Sequence, residues 1–220
     1  MIKLLIGVLS FLLLISSAII FTPIQFFTGK WLTNNDYFTV EYSYLNGNLF
    51  SGEVLDLYID QNFIGDYTYK TNFSSSEVKV NFLAIDDRKV SGNISKNLNS
   101  LNTNSFSITN LVIEDNLSVD LIEGLNILIN INELTIEDLN CTYINGTLLI
   151  SSNQLKDKLL GNFSCKEDNT ISANLKGAND KNLGTIQYYD SQVRVSILTS
   201  VLPDKRLNLI LDEVSFTIDL

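Results

Sequence analysis

The sequence predicts a mainly β protein, with an N-terminal transmembrane helix followed by an antiparallel β-sheet. Residues 4–21 carry no charged side chain, whereas beyond Trp31 the hydrophobic period becomes two. The apolar runs of this second part are short and rich in β-branched and aromatic residues. Asn, Gly, Asp and Ser separate them, which is typical of strands joined by turns.

Residues 1–30 are predicted to be a membrane anchor. The run Leu4–Phe21 is uncharged, and a helix of that length spans roughly 27 Å, close to the thickness of a bilayer core. A cleaved signal peptide is the alternative, but its apolar core is usually about 7–15 residues long and ends at a small-x-small site. Ser16–Ala18 lies inside the apolar run instead, which favours retention. The short tail with Lys3 favours an internal N-terminus and an exported domain at 31–220.

Composition argues against nucleic acid as a partner. The net charge is −10 and 18% of the residues are charged. Nucleic acid is therefore not expected as a partner, because phosphate binding needs a clustered excess of Lys and Arg. We expect the acidity to keep the exported domain soluble.

Catalytic and metal-binding signals are missing from the sequence. There is no His, which removes Ser-His-Asp and Cys-His arrangements and nearly all zinc sites. Neither a G-x-S-x-G elbow nor a phosphate-binding Gly loop occurs, and no stretch matches a calcium loop. Acidic pairs such as Asp86-Asp87 and Glu137-Asp138 fall where turns are expected. The sequence therefore predicts no enzyme, no cofactor and no metal site.

The two cysteines, Cys141 and Cys165, are a candidate disulfide. In an exported domain an even pair with no other thiol favours a bond between them. Two buried free thiols are the alternative.

The strand pattern extends along the whole exported domain, with two exceptions. Helices of about two turns are predicted at Asn116–Leu125 and at Ser152–Leu160, where leucines recur at helical spacing. The Ser- and Asn-rich stretch Arg88–Asn104 is interpreted as a loop or a weak edge strand. The predicted strands include Phe38–Tyr42, Val54–Ile59, Val78–Ala84, Ser105–Ile113, Asn126–Ile131, Leu134–Asp138, Thr142–Ile150, Gly161–Cys165, Thr170–Leu175, Thr185–Tyr189, Val193–Leu198, Leu207–Leu211 and Val214–Leu220.

Gly47, Phe50 and Gly52 form a candidate structural motif. Gly inside a strand-like run usually marks a bend or a close approach of backbone. We expect the two glycines to permit a turn or bulge that brings the first strand against the second. We also expect Phe50 to enter the first layer of the core.

Three stretches resemble a known family. YLNGNLFSGEVLDL at Tyr44–Leu57 follows the anchor as the Gly-x-apolar-Trp-x-Gly signature does in general secretion pathway protein N, a component of the bacterial type II secretion system. LTIEDLNCTYINGTLLISSNQL at Leu134–Leu155 and LLGNFSCKEDNTISANLKG at Leu159–Gly177 resemble later regions of that family, with Cys165 at the cysteine position. The chain departs from the pattern at Phe50, where Trp is usual, and between Asp66 and Ser118.

The resemblance implies a single-pass inner-membrane protein with a periplasmic, mainly β domain. The family is also similar to AsmA-like proteins, which implies an antiparallel meander curved into an apolar-lined groove. It carries over no catalytic residue.

Three functions remain open at this stage. The first is a non-enzymatic subunit of the type II secretion apparatus that contacts other subunits through its sheet. The second is an AsmA-like module that binds or transports lipid acyl chains. The third is an anchored adhesin-like or chaperone-like β domain.

Overall fold

The part of the chain that the structure describes is built mainly of β-strands. The computed structural model describes residues 22, 39–59, 61–86, 89–100, 105–119, 122–138, 140–166, 170–189, 192–202 and 211–219. Within these ranges there are fourteen strands and no α-helix, so the predicted mainly β fold is confirmed. The strands are β1 Val40–Glu41, β2 Tyr44–Gly47, β3 Ser51–Ile59, β4 Asn62–Phe73, β5 Glu77–Ala84, β6 Lys89–Asn97, β7 Ser105–Val119, β8 Ile122–Glu137, β9 Asn140–Ser151, β10 Leu159–Cys165, β11 Ile171–Lys176, β12 Asn182–Tyr189, β13 Gln192–Leu198 and β14 Glu213–Asp219.

The strands belong to two compact units, and the division falls inside β5. Unit 1 comprises the described parts of Met1–Phe73 and Val80–Asp87, and unit 2 comprises Ser74–Lys79 with the described parts of Arg88–Leu220. In unit 1, β1 and β2 both pair with β3, and β3 pairs with β4. In unit 2, each strand from β6 to β14 pairs with the next one in the chain. All these pairs are antiparallel. No change of composition marks the division, because it crosses a strand and not a linker.

Short hairpin turns produce this sequential order. Two-residue turns favour backbone with positive φ, because their twist then matches that of the strands. Gln61 has φ 69° and Asp138 has φ 49°, each at such a turn. Connections this short can join only antiparallel neighbours. The residue pairs that close two-residue turns are Ile59 with Asn62, Val119 with Ile122, Glu137 with Asn140, and Tyr189 with Gln192.

Both predicted helices are wrong. The first was expected at Asn116–Leu125, where the end of β7 and the start of β8 meet in a hairpin. The second was expected at Ser152–Leu160, where the chain makes turns and then enters β10 at Leu159. Leu155 and Leu159 are buried, so their spacing marks two contacts with the same core and not one helical face.

Three of the described strands were not predicted outright: β2, β4 and β6. Arg88–Asn104, interpreted as a loop or weak edge strand, contains β6, whose polar residues are held by a ladder to β7. β4 was missed because Gly65 and Asp66 interrupt its alternation of apolar and polar residues. The predicted strand Leu207–Leu211 lies outside the described residues apart from Leu211.

The core of unit 2 lies on one face of β8–β13. Leu148, Leu159 and Leu175 are each 1% exposed or less. Each of them has an exposed neighbour in its own strand, on the opposite face of the sheet. The connection before β10 adds Leu155 to this core, and the connection after β13 adds Val201 and Leu202. The backbone N–H of Lys156 donates to the carbonyl oxygen of Val201 at 3.0 Å, which ties the two connections together.

The predicted anchor at 1–30 lies outside the described residues, apart from Thr22. Within the part of the chain that the structure describes, no helix has the length and apolar character needed to cross a membrane.

Candidate functional site

The predicted glycine motif forms the turn between β2 and β3. Gly47 and Gly52 face each other as a residue pair, and Gly47 has φ 117°. The side-chain Oδ1 of Asn48 accepts hydrogen bonds from the backbone N–H groups of Phe50, at 2.8 Å, and Ser51, at 3.1 Å. A Cβ atom at Gly52 would overlap the carbonyl oxygen of Asn46 and lie 2.6 Å from the Tyr69 hydroxyl. The two glycines therefore allow β2 and β3 to close tightly.

The expected burial of Phe50 is wrong. Its side chain is 39% exposed, and its ring lies edge-on to that of Phe73 with 5.7 Å between the ring centroids. The Asn48 side chain shapes a turn at 48–51 that holds Phe50 outside the β2–β3 ladder. Phe50 therefore adds to a surface and not to a core layer.

This surface is part of an aromatic face in unit 1. Tyr67, Tyr69 and Phe73 lie at alternating positions of β4 and thus on one side of it. The ring of Phe82 packs against that of Tyr67 with 6.0 Å between the centroids. Tyr67 is 8% exposed, whereas Phe73 is 52% exposed. We call Phe50, Tyr67, Tyr69, Phe73 and Phe82 the aromatic face. It is buried at Tyr67 and exposed at Phe50 and Phe73.

Most residues of this face were not predicted from the sequence to lie together. Its signal is the recurrence of aromatic residues at positions 67, 69 and 73 with Thr, Lys and Asn between or near them. Recognising β4 as a strand would have placed them together.

Tyr69 also fastens the turn to β4. Its hydroxyl donates a hydrogen bond to the backbone carbonyl oxygen of Asn48 at 2.8 Å. Burial raises the pKa of the Tyr69 hydroxyl above its usual value of 10.0, because the phenolate is poorly solvated there. The hydroxyl therefore stays protonated and able to donate this bond at neutral pH.

Cys141 and Cys165 form a disulfide, with 5.5 Å between their Cα atoms. The bond joins the neighbouring strands β9 and β10, as the sequence predicted. The ladder between these strands pairs only 147–150 with 159–162. The disulfide lies beyond the end of this ladder and holds together the parts of β9 and β10 that the ladder does not join.

Within the described residues, β14 forms an edge of the sheet in unit 2, and no described strand pairs with its outer side. Among the described strands, β14 is hydrogen-bonded only to β13. The N–H of Thr199 donates to the carbonyl oxygen of Asp212 at 3.0 Å. Bonded and non-bonded residue pairs alternate along an antiparallel ladder. The N–H groups of Ser215 and Thr217 therefore point away from β13, toward the free edge.

The surface of unit 2 has polar clefts. One of about 560 Å³ lies between the ends of neighbouring strands and includes Ser76, Glu77, Ser107, Thr135 and Glu137 in its lining. Within the described ranges, no cluster of three or more His, Cys, Asp or Glu side chains has the arrangement of a metal site.

Comparisons of this chain with protein-family models, with curated proteins and with solved structures find no match. The geometry and the sequence motifs therefore carry the functional argument.

Proposed function

We propose that this chain is a non-enzymatic component of the type II protein secretion apparatus. In this proposal residues 1–30 anchor it in the inner membrane as a single-pass protein. The domain at 31–220 then faces the periplasm and contacts other subunits of the apparatus. The resemblance at Tyr44–Leu57, Leu134–Leu155 and Leu159–Gly177 supports the family, and the exported setting agrees with the Cys141–Cys165 disulfide.

The free edge of β14 is the observation that carries the assembly role. Unpaired N–H and C=O groups on an edge strand can accept a strand from another protein. The apolar face of β8–β13 is already filled by residues such as Leu148 and Leu159, which are almost fully buried. In unit 2, the edge of β14 is therefore a better site for a protein partner than the filled core face is for a lipid.

A proline at Ser215 tests this role. Proline removes the N–H that points to the free edge and leaves the bonds to β13 in place. The Ser215 hydroxyl lies 2.8 Å from that of Ser196, so Ser215→Ala is the matched control that loses the hydroxyl but keeps the N–H. The gene is deleted in its host, and each variant is supplied at the level of the wild type.

We expect the deletion strain to retain secretion substrates in the periplasm. Wild type and Ser215→Ala should restore their release to the medium, whereas Ser215→Pro should not. Normal release in the deletion strain would contradict the secretion role. Full restoration by Ser215→Pro would contradict pairing at the β14 edge while leaving the secretion role standing.

The aromatic face of unit 1 favours a second candidate, an AsmA-like module that binds or transports lipid. Phe50 and Phe73 are a contacting pair of exposed rings that could cover part of an acyl chain. Extraction of lipid from the purified full chain, compared with a Phe50→Ser, Phe73→Ser double variant, tests this candidate. Bound lipid that is lost in the double variant would favour it, and equal lipid in both would argue against it.

A further inference from the structure

Unit 2 has a polar face on the side of the sheet opposite its core. Along β10–β13 the inward positions are mainly apolar, among them Phe163, Ala173, Ile186 and Val195, whereas the alternate outward positions carry mostly amide and hydroxyl side chains. Strands in a sheet lie roughly 4.8 Å apart, so residues that pair across successive strands form regular rows. One row is Asn162, Asn174, Thr185, Ser196 and Ser215, and the next is Ser164, Ser172, Gln187, Arg194 and Thr217.

A cleft of about 350 Å³ lies at the end of these rows. This volume falls within the range of small-molecule sites, about 300–1,000 Å³. Thr170 is 6% exposed and lies deep in the cleft, while Tyr189 is 59% exposed. The lining includes Lys166, Thr170, Gln187, Tyr189, Arg194 and Thr217.

The described lining of the cleft contains two cations, Lys166 and Arg194, and no carboxylate, although the whole chain has a net charge of −10. Acidic residues lie close by in sequence and register: Glu167 and Asp168 follow Lys166, Asp190 follows Tyr189, and Asp219 pairs with the lining residue Gln192. An ion pair in unit 2 joins Lys176 and Asp180 at 2.8 Å, and these two residues line a different cleft. A guanidinium can bind a carboxylate or phosphate through two parallel hydrogen bonds.

The other lining groups match a sugar better than a lipid or a nucleic acid. Amide and hydroxyl side chains both donate and accept hydrogen bonds, as a sugar ring with several hydroxyls requires. An exposed tyrosine offers an apolar ring face with a polar tip. An acyl chain would find little apolar surface here, and two cations are too few to follow a nucleic-acid backbone.

We propose that this cleft binds a saccharide that carries a carboxylate or phosphate group. Arg194 and Lys166 pair with the anionic group, Tyr189 packs against the sugar ring, and Gln187 and Thr217 bind its hydroxyls. The rows of Asn, Thr and Ser beside the cleft extend the site to further sugar units of the same chain. This inference does not depend on the secretion role or on the β14 edge.

The test measures binding to the full chain in detergent by calorimetry. The probes are a galacturonic acid oligomer, a galactose oligomer of the same length, a sugar phosphate and inorganic phosphate. Tyr189→Ala is compared with Tyr188→Ala, because neighbouring residues of β12 point to opposite faces. Arg194→Gln is compared with Lys181→Gln, an exposed cation between β11 and β12.

We expect an anionic sugar to bind, with the galacturonate oligomer and the sugar phosphate showing which anion is preferred. Arg194→Gln should weaken that binding by about tenfold or more, in line with one charge-assisted hydrogen bond, and Lys181→Gln by less than about twofold. Tyr189→Ala should weaken it and Tyr188→Ala should not. Unchanged melting temperatures show that each variant is folded.

Three results would overturn the proposal. The first is that no sugar binds at millimolar concentration. The second is that inorganic phosphate binds as tightly as the sugars, which would indicate an anion site without sugar recognition. The third is that both tyrosine variants behave alike, which would place binding elsewhere.

Discussion

Removing the disulfide should destabilise unit 2 without affecting unit 1. The bond closes a loop with a sequence separation of 24, and chain entropy then gives a stabilisation of about 3.5 kcal/mol. The ladder between β9 and β10 is short, so little else holds the ends of these strands together. The double variant Cys141→Ser, Cys165→Ser should therefore lose a large part of the stability of a typical domain, about 5–15 kcal/mol.

Hydrogen exchange read by mass spectrometry measures this loss region by region. Amides of β9, β10 and β11 should exchange faster in the double variant, whereas those of β4 in unit 1 should not. Asn145→Ala, at an exposed position of β9, is the control and should change stability by less than about 0.5 kcal/mol. A loss below about 1 kcal/mol in the double variant, or an equal loss in β4, would refute the reasoning. Reductant added to the wild type should reproduce the effect of the double variant.

Two further predictions concern the core and the aromatic face. Leu159→Ala should lower the free energy of unfolding by about 2–5 kcal/mol because the side chain is fully buried. Leu160→Ala, at the exposed neighbouring position, should lower it by less than about 0.5 kcal/mol. Equal losses of stability in urea unfolding would contradict the assignment of strand faces. The pKa of Tyr69 is raised by burial, so the stability that depends on its proton is present below pH 10 and is lost as the pH rises through the folded-state pKa. Tyr69→Phe should lower stability at pH 7 by about 0.5–1.5 kcal/mol through loss of the bond to Asn48 and should flatten the alkaline decline; an unchanged decline would show that another group causes it.

Strand alternation was readable from the sequence where apolar and polar residues alternate without interruption. Val193, Val195 and Ile197 of β13 alternate with polar residues, and Val195 and Ile197 are buried. A period of two is a direct consequence of strand geometry, so these assignments needed no tertiary information. The disulfide was predictable for a different reason, since the expectation of an exported domain and the lone cysteine pair favoured a bond over two buried free thiols.

The leucines near β10 show where local pattern misled. Leu155, Leu159 and Leu160 have helical spacing, yet only Leu155 and Leu159 are buried and Leu160 is 56% exposed. The connection before β10 turns so that Leu155 reaches the core, and Leu159 reaches the same core from the first position of the strand. A spacing of four residues can thus arise from a turn followed by a strand, and only the register to β9 separates this from a helix.

Pairing between strands explains why the polar face was not predicted. The sequence of any one strand of β10–β13 indicates only that its outward residues are polar. Polar outward residues are expected on any strand face exposed to solvent. The rows of amides and hydroxyls exist only because the hairpin at Tyr189–Gln192 fixes the register of β12 against β13. The same register places Arg194 and Tyr189 in the lining of one cleft. A shift of one residue would turn every one of these side chains toward the core. The register is held by the inward residues Ile186 and Val195, which pair across the same two strands. The packing of the core therefore sets the arrangement of the surface that we propose binds a sugar.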